Sequence, residues 1–141
     1  MGDWLPAAGS DFGKRVRERI ESELVIWYTS VRRDGTPLPN PVWFVLDGEE
    51  FLIYNRPTAA RVHGLPANPR VALHFNSTPT GGDIVVVLGT ARPAPDAPPC
   101  NEHAAYADKY GARMERISGS REVFARAYPV AIRVGPDRLH D

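Results

Sequence analysis

The sequence predicts a mainly β fold: a small six-stranded antiparallel barrel with flanking helices. Three observations carry that reading. Short runs rich in β-branched and aromatic residues recur through the chain, at 24–31, 42–46, 51–54, 70–76, 83–91 and 128–134. Two Asp-Gly steps, Asp34-Gly35 and Asp47-Gly48, separate the first three runs and supply the positive φ of a hairpin turn. The runs do not alternate regularly with helical segments, which excludes a doubly wound parallel sheet and favours a barrel.

Residues 1–10 read as an irregular arm, anchored by Trp4 and Leu5. Residues 11–22 read as a helix. Ser10 or Asp11 caps it, and Phe12, Val16 and Ile20 recur every four positions on one face. Its other faces are charged, and the basic triple Arg15, Arg17 and Arg19 is interrupted by Glu18, with Glu21 close by, as on a solvated surface. The next three runs form the simplest antiparallel meander, with hairpins near 33–36 and 47–50. Pro37, Pro39 and Pro41 remove every second backbone donor, so their segment belongs at a sheet edge or barrel rim. Trp43 and Phe44 then point to opposite faces. One fills the core, and the other needs a lid, a ligand or a second subunit.

Thr58 is the expected cap of a short helix that buries Ala59, Val62 and Leu65 and stops at Pro66. Arg56 and Arg61 bracket its start. Free N–H groups, the helix dipole and two guanidinium forks there favour an anion. The alternative is that both arginines pair with surface acids. Val71, Leu73 and Phe75 alternate with Ala72, His74 and Asn76 as in a half-buried strand, and Gly89 marks a bulge or bend in run 83–91. After the connector at 93–99, a helix capped by Asn101 carries Ala104, Ala105, Tyr106 and Tyr110 and ends at Gly111. Short helices follow at 114–117 and Arg121–Ala127, and a final strand closes the chain.

The 141 residues fit one domain, with 17 basic and 17 acidic side chains and a pI near 6.9. That balance gives no electrostatic basis for nucleic-acid binding. The single cysteine, Cys100, excludes an internal disulfide and a Cys-cluster metal site. The four histidines, His63, His74, His103 and His140, show no metal-ligand spacing. Phosphate-loop and nucleophile-elbow motifs are absent. No apolar run is long enough for a membrane span, the N-terminus lacks signal-peptide character, and Leu5-Pro6 do not suit myristoylation of Gly2. The expectation is a soluble cytoplasmic protein whose chemistry, if it is an enzyme, comes from a bound cofactor.

The succession WYTSVRRDGTPLPNPVWFVLDGEEFLIYNRPTAARVHGLPANPRVALHFN, with GGDIVVVLGTA and YPVAIRVGPDRL after it, resembles the pyridoxamine 5′-phosphate oxidase-like split β-barrel superfamily over roughly 24–140. Within it the chain is most similar to the actinobacterial branch that uses the deazaflavin F420. The resemblance implies a homodimer with cofactor grooves between the barrels, and a ring system and partner subunit covering the exposed aromatic. It places the ring along Pro41, Val42, Trp43 and Phe44, and the phosphate near Tyr54, Asn55, Arg56 and Arg61. FMN-using relatives carry cations where Asn40 and Val45 stand here, which favours F420 over FMN; Arg32 or Arg33 would meet the anionic tail. The implied activity is hydride transfer between F420 and a small unsaturated, quinone-like or heteroaromatic acceptor. No residue is assigned a certain catalytic role, and Tyr28, His74 and Asn76 are pocket candidates. An FMN-, haem- or tetrapyrrole-binding protein, a non-enzymatic F420-binding or storage protein, and a bare dimerisation domain remain open at this point.

Overall fold

The computed structural model describes residues 4–140; positions 1–3 of the expected arm, with Gly2, lie outside the described residues. Trp4 and Leu5 are both buried in the core, as the arm's anchor should be. Helix α1 spans Asp11–Ser22, and the Ser10 Oγ caps it by accepting from the Gly13 N–H at 3.0 Å. Its buried residues include Val16 and Ile20.

One antiparallel sheet organises the rest. Its strands are β1 (Ile26–Val31), β2 (Pro37–Val42), β3 (Val45–Asp47), β4 (Glu50–Asn55), β5 (Arg70–His74), β6 (Val86–Pro93) and β7 (Val130–His140). They lie side by side in the order β2-β1-β5-β6-β7-β4-β3. The expected three-strand meander is therefore wrong, and there are seven strands among the described residues rather than six. Both Asp-Gly hairpins form, with Gly35 at φ 90° and Gly48 at φ 65°, but β2 and β4 do not pair. The run 42–46 breaks in its middle because the Phe44 N–H donates to the Tyr110 hydroxyl at 2.9 Å instead of to a neighbouring strand.

That break fixes the curvature. Flattened, a seven-stranded sheet would hold its outer strands about 29 Å apart, at ~4.8 Å per step. Val42 and Val45, on the two outer strands, are three Cα steps apart, at most about 11 Å. The sheet must roll until its edges meet, and this makes a half-barrel rather than an open layer. A second device sits at Gly89, where the β6–β7 register slips between Leu88 and Gly89. A Cβ at Gly89 would lie 2.7 Å from the Gly135 carbonyl oxygen, so the backbones cross there only because the side chain is missing.

The proline-rich run is an edge strand, as expected. Pro37, Pro39 and Pro41 stand opposite Val31, Thr29 and Trp27. Proline has no N–H, so Leu38, Asn40 and Val42 carry the ladder bonds to β1. The Arg32 N–H to Thr36 carbonyl bond, 2.8 Å, continues that phase into the turn.

Helix α2 is a single turn, Ala60–His63; Ala59 occupies its cap position without a side-chain bond, so Thr58 does not cap it. β6 begins later than the sequence suggests, because Asp83 adopts φ 56° and the Arg19 guanidinium holds its carboxylate at 2.6 Å. Helix α3 runs unbroken over Ala104–Ser118, which merges the expected helices on either side of Gly111. Gly111 does not end it: the Arg121 guanidinium fills the space where a Cβ would stand. The stop is Gly119, at φ 85°, and the cap is His103 rather than Asn101. Helix α4, Arg121–Ala127, starts on the Ser120 hydroxyl. Strand β7 extends past 134 because β6 pairs with it from Ile132 to His140, beyond the Val134 where its pairing with β4 ends.

Two apolar clusters result. The barrel interior holds Ile26, Tyr28, Phe44, Phe51, Ile53 and Leu73, among others. The opposite face of β3 and β4 packs Leu52 and Tyr54 against Tyr106, Tyr110, Met114 and Phe124 of α3 and α4.

Candidate functional site

Where the rolled edges meet, a cleft of about 540 Å³ opens between the end of β2, the end of β4 and the α3–α4 pair. That is within the ~300–1,000 Å³ common for small-molecule sites. Pro41, Val42 and Trp43 form one wall. Tyr54, Arg56 and Arg61 line it from β4 and from α2 beyond. Six of the eight residues expected to hold a cofactor therefore come together here.

The other two stand behind the wall. Phe44 is fully buried in the barrel core. Asn55 is fully buried as well, and it acts on the cleft through Arg61: its Oδ1 accepts from the Arg61 Nε, while its Nδ2 donates to the Val130 carbonyl at 2.9 Å. The amide's two ends thus tie the guanidinium to β7, which fixes its direction. Burial lowers the Arg61 pKa, opposed by the nearby Tyr28, Tyr128 and Tyr106; a guanidinium nevertheless stays charged at neutral pH.

Arg56 is held differently. Its guanidinium carbon lies 4.6 Å from the centre of the Tyr128 ring, and its Nε donates to the Tyr128 hydroxyl at 3.2 Å. Among the described residues neither arginine forms an ion pair, and the cleft lining contains no aspartate or glutamate. The alternative that they pair with surface acids is not what the structure shows. Two uncompensated cations at the mouth of an apolar cleft favour an anion.

With Phe44 in the core, Trp43 is the aromatic of the pair that needs a lid, a ligand or a second subunit. Its own chain provides the cover. The indole stacks on Tyr110 at 4.5 Å and 2°, and on Phe124 at 5.1 Å and 12°. Phe124 continues onto Tyr128 at 4.4 Å, and Tyr128 onto Arg56. A column of stacked rings thus runs from α3 to the cationic end of the cleft. Tyr106, Ile117, Phe124 and Tyr128 are lining residues that the sequence reading did not assign. Tyr106 was visible as part of an apolar helix face, but nothing in the local sequence tied that face to Trp43.

The pocket candidates disperse. Tyr28 is fully buried in the barrel core; burial pushes its phenol up to about 12, against the pull of Arg61, and its hydroxyl has no hydrogen-bond partner. His74 and Asn76 lie instead in a separate depression of about 520 Å³ with Trp27. There the Trp27 Nε1 donates to the Asn76 Oδ1 at 2.8 Å, and the indole lies parallel to the His74 ring. No group of residues among those described suits a metal ion. Among the described residues no helix is long and apolar enough to cross a membrane.

Burial raises the phenol of Tyr54 to about 12 and raises that of Tyr106 as well, and no histidine or carboxylate is among the described lining residues. Aromatic walls and two cations at one end suit a flat anionic molecule.

Residues 12–134 match the family model for pyridoxamine 5′-phosphate oxidase. Among solved structures, the chain resembles a protein named F420 reductase, at 23% identity over 88% of this chain and 94% of that one, with a TM-score of 0.67. It also resembles HutZ, the heme storage protein of Vibrio cholerae, at 14% identity over 93% and 94% of the two chains, with a TM-score of 0.64. An FAD-binding protein from Mesorhizobium loti matches at 18% identity over 87% and 88%, with a TM-score of 0.60. At these identities the likeness is one of fold. No curated protein matches the chain significantly.

Proposed function

The chain belongs to the pyridoxamine 5′-phosphate oxidase family, and on that premise we propose that it is an F420-dependent oxidoreductase. Its acceptor would be a small unsaturated, quinone-like or heteroaromatic molecule. The observation that carries the reading is the pair of arginines, Arg56 and Arg61, without acidic partners at one end of an aromatic cleft. An elongated ligand with a flat ring and a phosphate suits that arrangement at both ends.

When bound, the deazaflavin supplies hydride transfer with the acceptor. The protein's part is to bind, orient and desolvate. Arg61, aimed by Asn55, and Arg56, backed by Tyr128, hold the phosphate. Pro41, Val42 and Trp43 give the ring a rigid wall, because Tyr110 and Phe124 already stack on the Trp43 indole. No histidine or carboxylate is among the described cleft residues, and protons come from solvent. F420 is favoured over FMN because Asn40 and Val45 offer no cation, and Val45 is buried under α3. The fold likeness to an F420 reductase agrees with this choice. The half-buried row of Trp27, Thr29, Ala72, Val86 and Leu88 on the outer face of β1, β5 and β6 suits a second copy, so the working unit is a homodimer.

The lack of a proton-transfer group also favours a second reading, an F420-binding protein without turnover. Titration with oxidised F420, and separately with FMN, followed by fluorescence, tests both cofactor assignments. Micromolar or tighter F420 binding, weakened about tenfold or more in Arg61→Ala, is expected. Tighter FMN binding would overturn the deazaflavin assignment, and binding of neither would end the cofactor reading. Oxidation of reduced F420 in an acceptor screen then separates enzyme from carrier.

A further inference from the structure

Away from the arginine cleft, one amine is partly buried and pairs with no acid among the described residues. The sequence contains two lysines, Lys14 and Lys109. Lys14 is exposed on α1, whereas Lys109 is half-buried on α3. It lines a second cleft of about 550 Å³ between α1, β3 and α3. Its Nζ sits 3.9 Å from the centre of the Phe44 ring and 5.3 Å from that of Tyr110. It donates to the Phe44 carbonyl at 3.1 Å and reaches the Ile20 carbonyl at 3.5 Å.

The charged groups around it are few. Glu21, near the end of α1, and Asp108, on α3, line the same cleft. Glu23 follows α1 and favours the ammonium from a distance. On β3, Asp47 is committed to Arg133 and His103. None of these acids forms an ion pair with Lys109. Burial disfavours the charged amine, outweighs Glu23, and brings its pKa down to about 8. Ile20, Val45, Leu46 and Ala105 make the remaining walls apolar.

We propose that Lys109 is a nucleophilic amine and that its cleft is an acylation site for small uncharged acyl donors. The apolar walls accept an acyl chain, and the carboxylates of Glu21 and Asp108 repel anionic reagents from the mouth. In the step itself, the lone pair of the neutral Nζ attacks the acyl carbon of an activated ester. A C–N bond forms, the C–O bond to the leaving group breaks, the leaving oxygen keeps the bonding pair, and the nitrogen gives its proton to water. The product amide is uncharged. Its single N–H replaces the three of the ammonium that faced the Phe44 and Ile20 carbonyls.

The presence of two lysines makes the test direct and needs no variant. The full chain is labelled with a trace of N-hydroxysuccinimidyl acetate between pH 6.5 and 10, and the Lys14 and Lys109 peptides are quantified by mass spectrometry. The expected Lys109 rate levels off above about pH 8, while that of an ordinary exposed lysine keeps climbing toward ~10.4. At pH 7.5 Lys109 should acylate about tenfold faster than Lys14. With the sulfonated, anionic form of the ester that preference should fall several-fold. Slower labelling of Lys109 than Lys14 at pH 7.5, or a Lys109 rate still climbing at pH 10, would overturn the nucleophile. Equal preference with both esters would overturn the assigned donor class. Neither result depends on whether F420 binds.

Discussion

Tyr110→Phe removes one oxygen and leaves the stacked ring on Trp43 in place. That oxygen accepts from the Phe44 N–H at 2.9 Å and lies 2.8 Å from the Leu24 carbonyl and 3.1 Å from that of Phe44. Burial raises the phenol's pKa, so its proton is present as a donor throughout the neutral range. Without the hydroxyl the Phe44 N–H has no acceptor in a fully buried residue, which costs about 1–3 kcal/mol. The lost bond to Leu24 adds at most about 1 kcal/mol, since Leu24 is 38% exposed and water can replace it. The Phe44 carbonyl keeps Lys109 at 3.1 Å and adds nothing. The expected destabilisation is roughly 1–4 kcal/mol. Equilibrium urea unfolding should show a midpoint lowered by about 0.5–2 M, for a slope of ~2 kcal/mol/M that does not itself change. A loss under ~0.5 kcal/mol would mean that a strand-like or water-mediated partner takes over at Phe44, and the account of the β2–β3 break would be wrong.

Asn55→Ala should cost about 1–3 kcal/mol by urea unfolding, because it strips the Val130 carbonyl of a donor and the Arg61 Nε of an acceptor. It should also weaken F420 binding several-fold through the loss of Arg61's aim, which the same fluorescence titration measures. Ser120→Ala removes the acceptor for the Val123 N–H, 3.1 Å away at the start of α4, and should lower stability by ~0.5–2 kcal/mol in thermal melts, whereas Ser120→Gly should cost a few tenths. The pKa of Lys109 is depressed in the folded state, so the unfolded chain binds more protons between pH 8 and ~10.4, and this group makes stability rise with pH across that window. Stability curves of wild type and Lys109→Met should diverge there, with the rise smaller in the variant; parallel curves would contradict the depressed pKa.

Much of this molecule was legible wherever a residue's local chemistry decides its geometry. The Asp-Gly steps turn, Ser10 caps α1, alternating prolines mark an edge, and Gly89 sits at a register slip. What failed were questions of partnership. The pattern of run 42–46 is that of one strand, and nothing within it reveals that a tyrosine hydroxyl from α3 claims the Phe44 peptide and sends the chain to the opposite edge. Gly111 looks like a helix stop until the Arg121 guanidinium is seen filling its empty side. For the cleft, the cations were readable from residue type and order, and the β2 wall from the family resemblance. The stack over Trp43 was not, because Phe124 and Tyr110 reach it from far along the chain. Likewise His74 and Asn76 alternate out of a strand correctly but face a different depression.

The prolines of β2 have a bearing on how these molecules behave when crowded. In an antiparallel strand the N–H and C=O of one residue point the same way, so the outward side of β2 displays the carbonyls of Pro37, Pro39 and Pro41 and no N–H between them. A β-strand from another molecule must give and receive bonds alternately, and here it would find acceptors at ~6.8 Å intervals with nothing to fill its own carbonyls. Seeded growth from this edge is closed off by backbone chemistry alone, whatever the charge or apolarity of the side chains nearby. Restoring an N–H with proline-to-alanine changes at all three positions would turn the edge into a template, and the chain would lose its protection against fibre formation without losing a single core contact.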